Sequence, residues 1–156
     1  MSRELRTLCG SFKVAAQGII HCIFCERNMR IHIAAAVGVM LISILYNFSA
    51  VHYMILVLLF GIMIAAEMFN TAIERVVDLL SPSYNRLAKL SKDIAAGAVL
   101  VCAIASSVIG ILLFLDLKGI HAWYNFIVNH PLYFGIGVLS YFSLAWAFVF
   151  LPDKNK

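Results

Sequence analysis

Glu67, Asn70, Glu74 and Asp78 follow one another at intervals of three and four in the stretch AAEMFNTAIERVVDLL, residues 65–80. At 100° per residue, Asn70, Thr71, Glu74 and Asp78 all fall within about 60° of Glu67 on a helical wheel. Met68, Ile73 and Val76 take the opposite side. Just before this stretch, from Ile31 to Ala66, there is no Asp, Glu, Lys or Arg. Carboxylates inside an apolar run are costly in a membrane and by default mark function. The bland alternative is a hydrogen-bonded cluster that only holds helices together. Two glutamates on one apolar helix would be an expensive glue.

The chemistry open to such a stripe depends on depth. Glu67 sits within the apolar run, where a carboxylate is a candidate proton acceptor for an alcohol. Glu74 sits further out, beside Arg75, where an ionised carboxylate can hold a divalent cation through hard oxygen ligands. A third carboxylate, Glu26, stands in CERNMRIH at another helix end. Two carboxylates from different helices make a bridge for magnesium and ATP, and Arg30, Arg86, Lys89 and Lys92 can meet phosphates. There is no GxxxxGK[ST] loop and no HRD motif, so the usual nucleotide folds are absent. Cys22-x-x-Cys25 reads as two small apolar residues on one helix in a reducing compartment, not as a metal pair.

These residues need apolar helices to place them. The chain has 156 residues, of which 63% are hydrophobic and only 13% charged. That excludes an ordinary soluble domain and implies an all-α integral membrane protein. A span needs about 20 apolar residues, and four segments qualify: Ile31–Ala50, His52–Thr71, Ile94–Leu115 and Leu132–Leu151. NFSAVH joins the first two. IERVVDLLSPSYNRLAKLSKD joins the second and third, with Pro82 halting a helix and Ser81 and Ser83 suited to a turn. DLKGIHAWYNFIVNHP joins the last two and brings the interfacial aromatics Trp123 and Tyr124. Residues 4–25 mix basic and apolar positions and read as an amphipathic surface helix, broken near Gly10. Eleven of the 12 Lys and Arg residues fall before the first span, between the second and third, or after the fourth, with Lys118 alone on the other side. That bias puts both termini in the cytoplasm. The net charge of +4 then favours anionic lipid and nucleotide phosphates and requires no nucleic acid.

The pattern E-x-x-N-T-A-I-E-x-x-V-D over residues 67–78 resembles the signature of the prokaryotic diacylglycerol kinase family. SFKVAAQGI (11–19), ERNMRIH (26–32) and SPSYNRLAKLSKDIAAGAVL (81–100) support the resemblance in order and spacing. ERN-x-RIH and SP-x-Y lie closer to the branch that includes undecaprenol kinases. The resemblance implies a small homotrimeric kinase of the bacterial inner (cytoplasmic) membrane, with a surface helix and three spans. Its active sites are shared between subunits, and it moves the γ-phosphate of Mg-ATP to a lipid alcohol, diacylglycerol or undecaprenol. It implies Glu67 as base and lipid contact, Asn70 as the residue that helps place the reacting groups, and Glu26 and Glu74 as magnesium ligands. Nucleotide contacts fall on Ser83, Tyr84, Asn85, Lys92 and Asp93, and lipid or phosphate contacts on Asn28 and Arg30. The family's N-terminal arginine and tyrosine fall on Thr7 and Val14, so Arg6 or Lys13 is the substitute. Residues 1–115 then form the kinase domain, and 116–156 an extension with a fourth span outside the family core.

A rival of another class is a small transporter or proton-relay subunit that uses the intramembrane carboxylates. A relay places carboxylates near the midplane or on several spans. Here Glu67 lies toward the cytoplasmic end, and the other three spans contain none.

Overall fold

The computed structural model describes residues 3–46 and 48–152, with side chains from Leu8 onward. Its regular elements are six helices: α1 (Arg3–Cys25), α2 (Arg27–Leu45), α3 (Ala50–Leu80), α4 (Arg86–Phe114), α5 (Leu117–Asn129) and α6 (Pro131–Val149). The side chains of Arg3, Arg6 and Thr7, and the tail cations Lys154 and Lys156, lie outside the described residues.

Local chemistry explains the boundaries. His52 Nδ1 accepts the Ser49 N–H at 3.2 Å where α3 begins. Asn85 Oδ1 accepts from Leu87 N at 2.8 Å and Ala88 N at 3.3 Å, capping α4. Asp116 Oδ2 accepts from Gly119 N at 2.9 Å, capping α5, and Pro131 opens α6. Each side-chain oxygen supplies a partner to a first-turn N–H that has none within its helix.

Three sequence expectations are corrected. α1 runs unbroken through Gly10; one glycine costs a helix only about 1 kcal/mol. α3 continues past Thr71 to Leu80 and α4 starts at Arg86, so the joint between them is only residues 81–85. The apolar-run criterion ends where charge begins, but a helix ends where its backbone loses partners, here at Ser81 and Pro82. The third connection is largely a helix, α5, whose 13 residues are too few to span and so leave no span-length apolar run in the sequence.

α3 and α4 pack against each other most extensively; α2 lies on α3, α6 on α2, α5 on both α2 and α6, and α1 touches α2 and α3. The buried apolar set is small: Cys22, Met29, Leu56, Met63 and Ala95. Leu58, Leu100, Phe142 and many other large apolar residues face outward. In water this would be a large exposed patch; in a bilayer, lipid covers it. Among the described residues five helices are long and apolar enough to cross: α2, α3, α4, α6 and the Leu8–Cys25 part of α1.

The extension is fastened to the rest. Tyr141 of α6 donates to Ala34 O at 2.7 Å, and its ring end lies where a Cβ on Gly38 would sit. A side chain at Gly38 would have to push the Tyr141 ring end aside, so the glycine leaves the room this contact uses. Gly119 meets the Tyr46 ring in the same way. The strongest tie is Arg30, 1% exposed. Its guanidinium donates to Ile23 O at 3.3 Å and Phe24 O at 3.2 Å at the end of α1, and to Val149 O at 3.2 Å and Leu151 O at 3.1 Å at the end of α6. Arg27 stacks over the Phe150 ring at 4.4 Å. Two helix C-termini therefore converge on one buried cation, which suits the negative end of each dipole. Replacing Arg30 by Leu strands several carbonyls, each costing about 1–3 kcal/mol. We expect a clearly lowered unfolding temperature in detergent, with no recovery in Arg30→Lys, whose point charge cannot fork to four acceptors. A lysine variant as stable as the parent counts against this role.

Candidate active site

The buried stripe of α3 is Leu56, Met63, Glu67, Asn70 and Thr71, so the inner part of the polar stripe points into the bundle as its spacing predicts. Glu67 is 2% exposed, and His32 of α2 brings Nε2 to 3.1 Å from Glu67 Oε1. The ring does not aim a donor along that line, so Oε1 has no aligned hydrogen-bond partner among the described residues. One turn on, Asn70 Nδ2 donates to Glu74 Oε1 at 3.1 Å, while the buried Asn70 Oδ1 has no partner either. Buried acceptors without donors are uncommon and ask for an explanation.

Glu26 is the extended residue between α1 and α2. Its Oε1 lies 3.6 Å from Arg75 Nη2 of α3. Glu26 and Glu74 are both close enough to Glu67 for their charges to act on it. The structure thus gathers Glu26, Glu67, Asn70 and Glu74 from two chain segments at one end of the bundle. Among the described residues no three metal-ligating side chains cluster together. A carboxylate pair is what magnesium commonly takes from a protein, phosphates and water completing its shell.

The outer part of the stripe is engaged differently. Asp78 pairs with Lys92 Nζ at 2.9 Å, joining α3 to the first turns of α4. Lys92 also lies within reach of the Glu74 charge. Ser83, Tyr84, Asn85 and Asp93 are exposed around the short loop, and the Asn85 side chain is occupied as the α4 cap. Asn28, Lys13 and Val14 are exposed. Arg30, expected at lipid or phosphate, is instead engaged by the four carbonyls described above. Cys9, Cys22, Cys25 and Cys102 are free thiols. The residue that sequence reasoning passed over is His32. Its signal was a polar side chain at the sixth residue of α2, at the end of the RIH tripeptide and the start of the apolar run.

A bundle of apolar helices that gathers carboxylates and an asparagine at one end, beside the cations in the first turns of α4, is a membrane protein built for chemistry on polar groups at the lipid boundary. Residues 13–114 match the family model of prokaryotic diacylglycerol kinase. The chain is 45% identical over 112 residues to the undecaprenol kinase of Bacillus subtilis, covering 72% of this chain and 91% of that protein. It is 41% identical over 101 residues to the diacylglycerol kinase of Synechocystis, covering 64% of this chain and 58% of that protein. A diacylglycerol kinase of Sinorhizobium is 32% identical over 83 residues, 53% of this chain and 61% of that protein. No solved structure matches. The chain belongs to the prokaryotic diacylglycerol kinase family and is a membrane lipid kinase.

Proposed function

We propose that the protein transfers the γ-phosphate of Mg-ATP to the hydroxyl of a polyprenol, at the cytoplasmic face of a bacterial inner membrane. The observation that carries the mechanism is the buried Glu67, closed off from water yet next to Asn70 and the two outer carboxylates. The polyprenol choice is supported by the undecaprenol kinase relative, of which the chain covers 91%, and by the ERN-x-RIH segment. Glu67 takes the hydroxyl proton as the lipid oxygen bonds to the γ-phosphorus and the bond to the ADP oxygen breaks. Asn70 holds Glu74 and places the reacting groups. Glu26 and Glu74 hold magnesium, which when bound neutralises charge on the phosphates. Ser83, Tyr84, Asn85, Lys92 and Asp93 receive the nucleotide, Asn28 faces the lipid head, and Lys13 stands in for the family's N-terminal cation. Positioning and charge neutralisation supply most of the rate.

In this reading α1 lies on the membrane surface, α2, α3 and α4 span, and α6 crosses a fourth time, leaving both termini in the cytoplasm as the cation bias requires. Residues 1–115 are the kinase unit, which assembles as a homotrimer; 116–156 brace its outer side. Purified protein with radiolabelled ATP and a panel of lipid alcohols tests the reading. Undecaprenol is expected to be phosphorylated with higher kcat/KM than dioleoylglycerol. The reverse order overturns the polyprenol assignment, and no transfer to either overturns the mechanism.

A further inference from the structure

Glu26 stands at a joint one residue long. α1 ends at Cys25 and α2 begins at Arg27. Between them Glu26 alone leaves the helical conformation, at φ −116° and ψ 116°, and its side chain makes no capping bond to α2. The angle between the two helices therefore turns on one residue's two soft dihedrals, and any change in them swings the Glu26 carboxylate. Arg75, 3.6 Å from that carboxylate, cannot hold it in place for a metal ion, because the two cations repel. The support has to come from the backbone.

Arg30 supplies it. From the first turn of α2 its Nη1 reaches back across the joint to Ile23 O and Phe24 O in the last turn of α1. The opposite edge of the guanidinium, Nε and Nη2, is taken by Val149 O and Leu151 O at the end of α6. A guanidinium is a rigid planar fork, so carbonyls seated on one edge fix where the other edge points. Arg27, the residue after Glu26, stacks over Phe150, which lies between those two carbonyls in the chain. Buried Cys22 and Met29 flank the joint. α6 lies beyond residues 13–114, the part that matches the family. Yet its carboxyl end meets both of the α2 cations nearest Glu26.

We propose that Arg30 is a positioning residue for the reaction: seated on the carboxyl end of α6, it locks the α1–α2 joint and so holds the Glu26 carboxylate where a metal ion meets it. The fourth span then serves the metal site and not only the stability of the bundle. The proposal rests on the reading of Glu26 as a magnesium ligand and adds what keeps that ligand in place. In this role Arg30 touches neither metal nor phosphate and acts through the backbone of Glu26. A carboxylate on a loose joint must be ordered when the ion binds. Loosening the joint should therefore weaken metal binding and leave the turnover of the filled site alone.

The test uses the full chain in detergent, manganese as the probe of the magnesium site, and the β,γ-imido analogue of ATP, so that no turnover is needed. Free manganese is followed by electron paramagnetic resonance. Lipid phosphorylation at saturating metal is measured beside it, below the unfolding temperature of every variant. Arg30→Lys should weaken manganese binding by about tenfold, the lower end of what the outer supports of a metal ligand are worth, and keep kcat near that of the parent. Phe150→Ala removes the Arg27 stack and should weaken binding in the same direction by a smaller factor. It carries the test alone if Arg30→Lys does not fold. Tyr141→Phe removes another tie of α6, the hydroxyl on Ala34 O. It should lower the unfolding temperature and leave manganese binding unchanged. In a Glu26→Ala background Arg30→Lys should weaken binding no further, since the ligand it positions is gone. Manganese binding like that of the parent in Arg30→Lys or Phe150→Ala overturns the proposal. So does a loss as large in Tyr141→Phe, which marks general loosening, or an undiminished loss in the Glu26→Ala background. If Glu26→Ala itself binds manganese like the parent, the magnesium reading of Glu26 fails first, a result distinct from any of these.

Discussion

Glu67→Gln is expected to lower lipid phosphorylation by about 10²–10⁴-fold, the usual worth of a general base, while ATP binding is kept. The substitution preserves the shape of a side chain that is 2% exposed. The amide can still meet His32 and still stand on the buried stripe with Asn70, so the fold has no reason to fail. What it cannot do is accept a proton from the attacking hydroxyl. The loss should therefore appear in kcat rather than in the KM for ATP, the pattern of an interaction made only in the transition state. Steady-state transfer from radiolabelled ATP, beside a nucleotide-binding titration, separates the two. Turnover close to that of the parent enzyme removes Glu67 from the role of base. Glu67→Ala is the less informative change, because it also opens a cavity beside His32.

The site was legible in the sequence because helical spacing and solvent cost say the same thing there. A carboxylate, an amide and a hydroxyl at positions 67, 70 and 71 in an otherwise apolar run must share a face, and that face must be inward. Both follow from the 3.6-residue period and the cost of polar groups in lipid, and the burial of Glu67, Asn70 and Thr71 agrees. The position of Asp78 on the same stripe did not reveal its fate. At 67% exposure it pairs with Lys92, because α4 starts earlier than its apolar run suggests. His32 gave only the sign of a polar side chain in an apolar helix; its approach to Glu67 depends on how α2 meets α3, a contact that no local pattern encodes. Arg30 shows the same limit from the other side. Its charge suggested phosphate, but the helix ends that surround it come from residues 23 and 24 and from residues 149 and 151. The last two belong to a segment outside the part of the chain that matches the family. The helix boundaries followed from caps, and α5 fell below the length at which an apolar run attracts notice.

Glu26→Ala and Glu74→Ala are each expected to raise the magnesium requirement and to reduce turnover by about 10²-fold or more, matching the several kcal/mol that a bound ion contributes to phosphoryl transfer. The two side chains are supported in different ways. Glu26 is reached by Arg75 at 3.6 Å, while Glu74 is steadied by the Asn70 amide at 3.1 Å. If each merely held its own neighbour, the losses would be independent, and the double variant would lose the product of the two. If they share one ion, removing either leaves the other unable to hold it, and the double variant loses little more than either single one. Arg75→Ala serves as the control, since it frees Glu26 from its cation without removing the carboxylate. It should not raise the magnesium requirement, because an arginine at Glu26 opposes a metal ion rather than recruiting one. Titrating magnesium against the parent, both single variants, the double variant and Arg75→Ala gives the answer in one assay. Multiplicative losses across the pair, or an unchanged magnesium dependence in either single variant, break the assignment of a shared ion.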